Sequence, residues 1–113
     1  MKQITAIIRP HRLEAVVAAL HALPHLSGFT AFPALGHPRG HGPGHGFVPD
    51  EWDPSTHSNV VLLVFCADAH APALLTALQQ SAYTGLAGDG VVGVVELEDV
   101  LRIRTGERGD AAL

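Results

Sequence analysis

The order of elements predicted from the sequence indicates an α+β protein with a ferredoxin-like βαββαβ sandwich, extended by a short C-terminal strand. Strand and helix periodicities alternate along the chain, and a long segment rich in Gly, Pro and His divides this alternation into two halves. The chain has 113 residues, of which 47% are hydrophobic, so it can form one core but is too short for two. We therefore expect a single domain spanning residues 1–113.

The first half contains a strand, a helix and a second strand. Residues 3–9 have the apolar pattern of a strand, and Pro10 ends it with a backbone angle that suits the first turn of a helix. The second strand, residues 29–35, is interrupted by Pro33, which favours a position at the edge of a sheet. The helix between them carries an apolar stripe at the spacing i, i+3, i+4, i+7, formed by Leu13, Val16, Val17 and Leu20.

The second half repeats this order. Residues 59–66 form a nearly continuous apolar run, so both faces of this strand should be covered. Asp68 is the expected N-cap of the next helix, strand 91–95 follows a Gly-rich turn, and residues 101–104 form the short last strand. Two helices cover only one face of the sheet, so we expect the other face to associate with further copies of the chain.

Residues 36–58 are predicted to form one long loop. Alternating Gly and Pro exclude a helix or an inner strand, and a loop longer than about 15 residues in a small domain is usually functional. Neutral imidazoles with nearby carboxylates suit Zn²⁺, Cu²⁺, Ni²⁺ or Co²⁺, so the loop is a candidate metal site, with a merely solvated polar loop as the alternative. The candidate ligands are His37, His41, His45 and His57. Its aromatic residues Phe47 and Trp52 are candidate contacts for a partner protein.

A second candidate site is suited to an anion. The small residues of the turn at 84–90 leave backbone N–H groups free to face a phosphate. Strand alternation would place Arg102 and Arg104 on one face, where their forked guanidinium groups suit phosphate. The alternative is an ordinary loop with solvated edge arginines.

These motifs resemble the signal-transduction proteins of the PII family, also called nitrogen regulatory protein P-II. The resemblance rests on TGLAGDG at residues 84–90, RIRTG at 102–106 and ITAIIRP at 4–10, and it extends over the whole chain. It implies a trimer that holds an adenine nucleotide (ATP, ADP or AMP) between subunits and contacts a target through residues 36–58, the family's T-loop. The nucleotide-binding residues that it implies are Thr30, Gly36, Arg39, Thr84, Gly88, Asp89, Gly90, Arg102 and Arg104.

The sequence also departs from the PII pattern. Val91 stands where family members usually carry a lysine, and Gly40 and Ser58 replace the glutamine and lysine that serve 2-oxoglutarate sensing. We therefore expect a preference for ADP or AMP and no response to 2-oxoglutarate. The loop also lacks the tyrosine modified in enteric members, since Tyr83 lies elsewhere. In this the chain is similar to a divergent PII-like subgroup associated with heavy-metal efflux, so the target could be a metal efflux pump or an ammonium channel.

Composition narrows the function further. A formal net charge of −4 with only seven Lys and Arg argues against a nucleic-acid partner, and the single Cys66 excludes an internal disulfide. No apolar run reaches the roughly 20 residues of a membrane span, so we expect a cytoplasmic protein. No Ser-His-Asp arrangement or close acid pair is apparent, which favours a regulatory protein over an enzyme, with weak nucleotide hydrolysis left open. The alternative is a passive metal-binding protein with a vestigial nucleotide site.

Overall fold

The computed structural model describes residues 1–36 and 58–113. Four strands form one antiparallel sheet in the order β2-β3-β1-β4. The strands are β1 (Lys2–Ile8), β2 (Thr30–Leu35), β3 (Ser58–Cys66) and β4 (Gly90–Glu96), and the helices are α1 (Leu13–His21) and α2 (Ala71–Ala82). Short 3-10 turns lie at Pro10–Arg12, Asp68–His70 and Gly109–Ala112. This order confirms the predicted α+β, ferredoxin-like fold and places β2, the strand with Pro33, at an edge.

The core lies between one face of the sheet and the two helices. Alternate residues of β1 and β3 point into it, because successive side chains of a strand face opposite sides. Their partners on α1 and α2 repeat at helical spacing, as predicted for α1. The fully or almost fully buried side chains are Ile4, Ala6, Ile8, Val16, Leu20, Leu62, Val64, Cys66, Leu74 and Leu78. No helix in the described ranges is long and apolar enough to cross a membrane.

The opposite face of the sheet is apolar and is not covered by any described helix. The strand register aligns Phe32, Val61, Ile7 and Val91 in one row across all four strands. Phe32 is 46% exposed and Val91 is 67% exposed. We predicted that both faces of β3 are covered. Within one chain, only the face toward the helices is covered by helices.

The loop between β2 and β3 starts and ends at one end of the sheet. Leu35 pairs with Ser58, so the chain leaves β2 and enters β3 side by side. At the same end Ile8 pairs with Gly90, the first residue of β4. The predicted loop boundaries agree with these strand ends, whereas residues 37–57 lie outside the described residues.

Two local predictions need correction. Asp68 does not cap α2; it begins a 3-10 turn, and its carboxylate lies 3.1 Å from Nζ of Lys2, while His70 occupies the N-cap position without a side-chain cap. In place of a short C-terminal strand, a single bridge joins Leu101 and Arg108. A tight turn replaces the rest of that strand, because the N–H of Gly106 donates to the carbonyl of Arg102 at 2.8 Å.

Candidate functional site

The turn between α2 and β4, residues 84–90, is organised by one carboxylate. Oδ2 of Asp89 accepts hydrogen bonds from the backbone N–H of Thr84 at 2.7 Å and of Gly85 at 3.0 Å. The hydroxyl of Thr84 donates to Oδ1 of the same carboxylate and accepts from the N–H of Leu86 at 3.2 Å. The Thr84 hydroxyl, followed by the backbone donors, lowers the pKa of Asp89. Asp89, predicted to bind the nucleotide, here fixes the shape of the turn.

Gly88 and Gly90 allow this turn to pack against the end of β1. A Cβ at Gly90 would overlap the carbonyl oxygen of Ile7 and lie 2.9 Å from its carbon, and the φ angle there is +110°. A Cβ at Gly88 would overlap the guanidinium of Arg9, which donates from Nη2 to the carbonyl of Ala87 at 3.4 Å. Gly90 is therefore required by close packing and backbone conformation, whereas Gly88 is favoured by its φ angle of +90°, because the Arg9 side chain can move aside.

Thr30, Arg102 and Arg104 line one cavity of about 600 Å³ on the open face of the sheet. Leu63 and Phe65 form its floor on β3. The other lining residues belong to the segment before β2 and to the C-terminal segment: Ser27, Gly28, Phe29, Val100, Leu101, Ile103, Ala112 and Leu113. A partly apolar cavity lined by two arginines suits a ligand that has both an apolar part and an anionic part.

The two arginines differ in how they are held. Nε of Arg102 donates to the carbonyl of Ala112 at 2.9 Å, and its backbone N–H donates to the carbonyl of Glu107 at 2.9 Å. Arg104 is exposed and makes no side-chain hydrogen bond within the described residues. Arg102 is therefore fixed in the C-terminal hairpin, and Arg104 offers all its donors to a ligand.

In one chain the predicted site residues do not meet. Thr30 and Gly90 lie on the two edge strands, which are three strand spacings or about 14 Å apart. Gly36 follows β2 and lies across the sheet from the turn at 84–90. The structure thus brings Thr30, Arg102 and Arg104 into one group and Thr84, Gly88, Asp89 and Gly90 into another.

The predicted loop residues lie outside the described residues: Arg39, Phe47, Trp52 and the four candidate metal ligands His37, His41, His45 and His57. Within residues 1–36 and 58–113, no cluster of three or more His, Cys, Asp or Glu side chains could hold a metal ion. Three of the four histidines outside the loop make ring contacts. The ring of His25 stacks on that of His70 at 4.5 Å, and His21 packs edge-on against Phe29.

Two features of the site region were not predicted from the sequence. Arg9 lies against the turn, and this could have been inferred, because β1 and β4 are neighbours in the predicted fold and Arg9 directly follows β1. Asp99 also anchors the C-terminal segment by accepting from Nε of Arg108 at 2.7 Å and from the N–H of Gly109 at 3.1 Å. The Arg108 guanidinium, the largest cause, holds the pKa of Asp99 below its usual range. No local motif marks this pair.

On acidification, the turn is expected to lose its Asp89 hydrogen bonds only at a pH below the usual pKa of an aspartate side chain. Because the pKa of Asp89 is lowered, its contribution to stability is fully present above about pH 4 and is lost as the pH falls through the lowered pKa. An NMR titration of the Thr84 and Gly85 amide protons should therefore show a midpoint below about 4. In the control variant Asp89→Asn this transition should disappear. A midpoint at or above that of a free aspartate would contradict the assignment.

Comparisons with known proteins agree with this fold. The family model described as "Nitrogen regulatory protein P-II" matches residues 1–107. The chain is 37% identical to nitrogen regulatory protein P-II of Azospirillum brasilense and 38% identical to that of Rhodospirillum rubrum. It is 36% identical to nitrogen regulatory protein GlnK of Escherichia coli, and each of these three matches covers 100% of both chains. These relatives are named as regulators and not as enzymes. The chain therefore belongs to the nitrogen regulatory protein P-II family of signal-transduction regulators.

Proposed function

We propose that the protein works as a homotrimer that binds an adenine nucleotide in each cleft between neighbouring copies and signals this state to a target protein through residues 36–58. The observation that carries this proposal is the separation of the two site groups within one chain. Arg102 and Arg104 border the open-face cavity beside β2 and β3, whereas the turn at 84–90 leads into β4 and packs against the end of β1. A neighbouring copy that supplies the turn would complete the cavity of the first.

The open face of the sheet supports the association. Phe32, Val91 and Val95 are 46%, 67% and 54% exposed, and they belong to one face of a single sheet. Contiguous apolar surface of this kind usually marks an interaction site, and a closed symmetric assembly of identical chains is the common way to cover it.

The chemistry of the two groups supports a nucleotide. Leu63 and Phe65 offer apolar contacts to a base, and Thr30 can hydrogen-bond to its edge or to the sugar. Arg102 and Arg104 supply the cations that a polyphosphate needs. Since Val91 provides no charge after the turn, we expect ADP or AMP to compete well with ATP.

The target protein is proposed to bind the loop formed by residues 36–58. Leu35 and Ser58 hold both loop ends at the edge of the sheet beside Gly36, a predicted nucleotide contact. A nucleotide bound there could therefore bias the loop, and through it the affinity for a target. The target that we propose is a membrane transporter, such as a metal efflux pump or an ammonium channel, reached from the cytoplasm.

Native mass spectrometry tests this proposal with one preparation. The protein should appear at three times the chain mass and should gain up to three nucleotide masses with ATP, ADP or AMP. A monomer or dimer, or a trimer that takes up none of the three nucleotides at concentrations up to about 1 mM, would contradict it.

A metal signal is a further hypothesis, supported by the sequence of the loop alone. His37, His41 and His45 recur at four-residue spacing, and carboxylates follow them in the same loop at residues 50, 51 and 53. Three copies of the loop would raise the local concentration of these ligands. Calorimetric titration with Zn²⁺, Cu²⁺, Ni²⁺ and Co²⁺ should give a Kd below about 100 μM for at least one ion. The triple variant His37→Ala, His41→Ala, His45→Ala should lose it. If that variant binds as well as the unchanged protein, His37, His41 and His45 are not the metal ligands. If no ion binds with a Kd below about 100 μM, both the metal signal and the passive metal-binding alternative are wrong.

A further inference from the structure

The turn at 84–90 contains no cation of its own. From residue 83 to residue 101 the sequence has no Lys, Arg or His, and it includes the carboxylate of Asp89. The backbone N–H groups of Ala87 and Gly88 form no hydrogen bond within the described residues. These N–H groups can face an anion, but the Asp89 charge opposes its approach. An anion at this turn therefore needs a positive charge from another element.

Arg9 supplies that charge. It directly follows β1, whose last residue, Ile8, pairs with Gly90. Its Nη2 lies 3.4 Å from the carbonyl oxygen of Ala87, and its Cζ would lie 3.0 Å from a Cβ placed on Gly88. The guanidinium thus lies against Ala87 and Gly88, the two residues whose N–H groups form no hydrogen bond within the described residues.

Arg12, one turn further along the chain, has a structural role and serves as a comparison for Arg9. Its Nε and Nη2 both donate to the carbonyl of Ser81, at 3.0 and 2.6 Å, and so hold the end of α2. Arg9 makes only the single long bond to Ala87 within the described residues. Such a bond is weak and is readily exchanged for a charge-assisted bond to a phosphate oxygen.

We propose that Arg9 is the phosphate-binding cation of this turn and that it sets the preference among nucleotides by their number of phosphates. This inference rests on the proposed nucleotide site and adds Arg9, the residue that follows β1, to that site. Since Val91 carries no charge and Arg9 contacts the turn, we assign Arg9 to the phosphates that this turn would hold, beyond the one bound by Arg102 and Arg104. AMP, whose single phosphate can be held by the Arg102 and Arg104 group, depends on Arg9 least.

The test compares Arg9→Met and Arg9→Lys with the unchanged protein. Affinities for ATP, ADP, AMP and inorganic tripolyphosphate are measured by calorimetry on the assembled protein. For Arg9→Met we expect a loss of about tenfold or more for ATP and tripolyphosphate, a smaller loss for ADP, and less than about threefold for AMP. Arg9→Lys should recover part of the ATP affinity. Lys2→Gln, at the opposite end of β1, is the control for loss of one positive charge and should change no affinity by more than about twofold.

The outcomes separate this inference from the proposed function. An equal loss for all three nucleotides, or no loss for any, would overturn the role of Arg9 and leave the nucleotide site standing. Binding of tripolyphosphate that depends on Arg9, without binding of any nucleotide, would support Arg9 and contradict the proposed function. If the unchanged protein binds none of the four probes, both are wrong. Thermal unfolding of each variant shows whether the turn remains folded, and Arg9→Lys keeps the test valid if Arg9→Met unfolds.

Discussion

Replacing Arg104 by alanine is expected to lower the affinity for ATP about 10- to 100-fold and to leave the free energy of unfolding unchanged. The side chain of Arg104 is exposed and makes no hydrogen bond within the described residues, so its removal disturbs no contact there. It lies at the rim of the cavity with Thr30 and Arg102. The substitution therefore removes the hydrogen bonds from Arg104 to a phosphate and leaves the folded chain as stable as before.

The matched control is Glu107→Ala in the same hairpin. Glu107 is exposed, contacts Thr105 at 2.8 Å and carries no positive charge, so its removal should not reduce ATP affinity. Arg102→Ala should also abolish binding, but it breaks the bond to the Ala112 carbonyl and should lower stability as well. Calorimetry with ATP, together with urea unfolding, distinguishes the two arginines. Unchanged ATP affinity in Arg104→Ala would remove it from the site.

Gly90→Ala is expected to destabilise the protein by at least about 3 kcal/mol. The new Cβ would overlap the carbonyl oxygen of Ile7, a backbone atom in the centre of the sheet that has no room to move. The φ angle of +110° adds strain for any residue with a side chain. The first residue of β4 therefore cannot carry even a methyl group while β4 stays paired with β1.

Gly93→Ala on the same strand is the control. Gly93 has no atom within 4 Å of an added Cβ in the chain, so its replacement should cost less than about 1 kcal/mol. Urea unfolding at one protein concentration measures both variants, and the mass of the assembly is checked in each. Stability of Gly90→Ala within about 1 kcal/mol of the unchanged protein would show that the turn packs differently against β1.

The fold was predictable because local patterns and topology agree. Apolar residues at period two and at helical spacing mark β1, β3, α1 and α2, and Pro33 marks the edge strand. Two local predictions failed because residues distant in sequence, or a tight turn, take the hydrogen-bonding groups that the prediction had assigned to a helix cap or a strand. Asp68 was expected to cap α2, but the sheet brings Lys2 to its carboxylate. The last strand failed because Gly106 turns the chain back after Arg102.

The candidate site was predictable in its residue types but not in its arrangement. The glycine turn and the two arginines can be recognised from the sequence, yet their placement toward different edges of the sheet follows only from the strand order. The close packing of Gly88 on Arg9 and of Gly90 on Ile7 depends on two strands far apart in sequence. Spacing along the chain carries no information on such contacts.

The central claim is that one nucleotide site takes its turn from one copy of the chain and its arginines from another. Two variants test it directly. Arg104→Ala removes a cation from the cavity, and Asp89→Ala removes the carboxylate that orders the turn. Neither variant alone should bind ATP with more than a small fraction of the normal affinity.

When the two variants are unfolded and refolded together, mixed trimers form. If the site is shared, roughly a quarter of the sites will then combine an intact turn from one variant with an intact arginine pair from the other. Calorimetry should recover roughly that fraction of the normal number of ATP sites at normal affinity. Mixed trimers, identified by mass, that bind no more ATP than the separate variants would contradict the shared site.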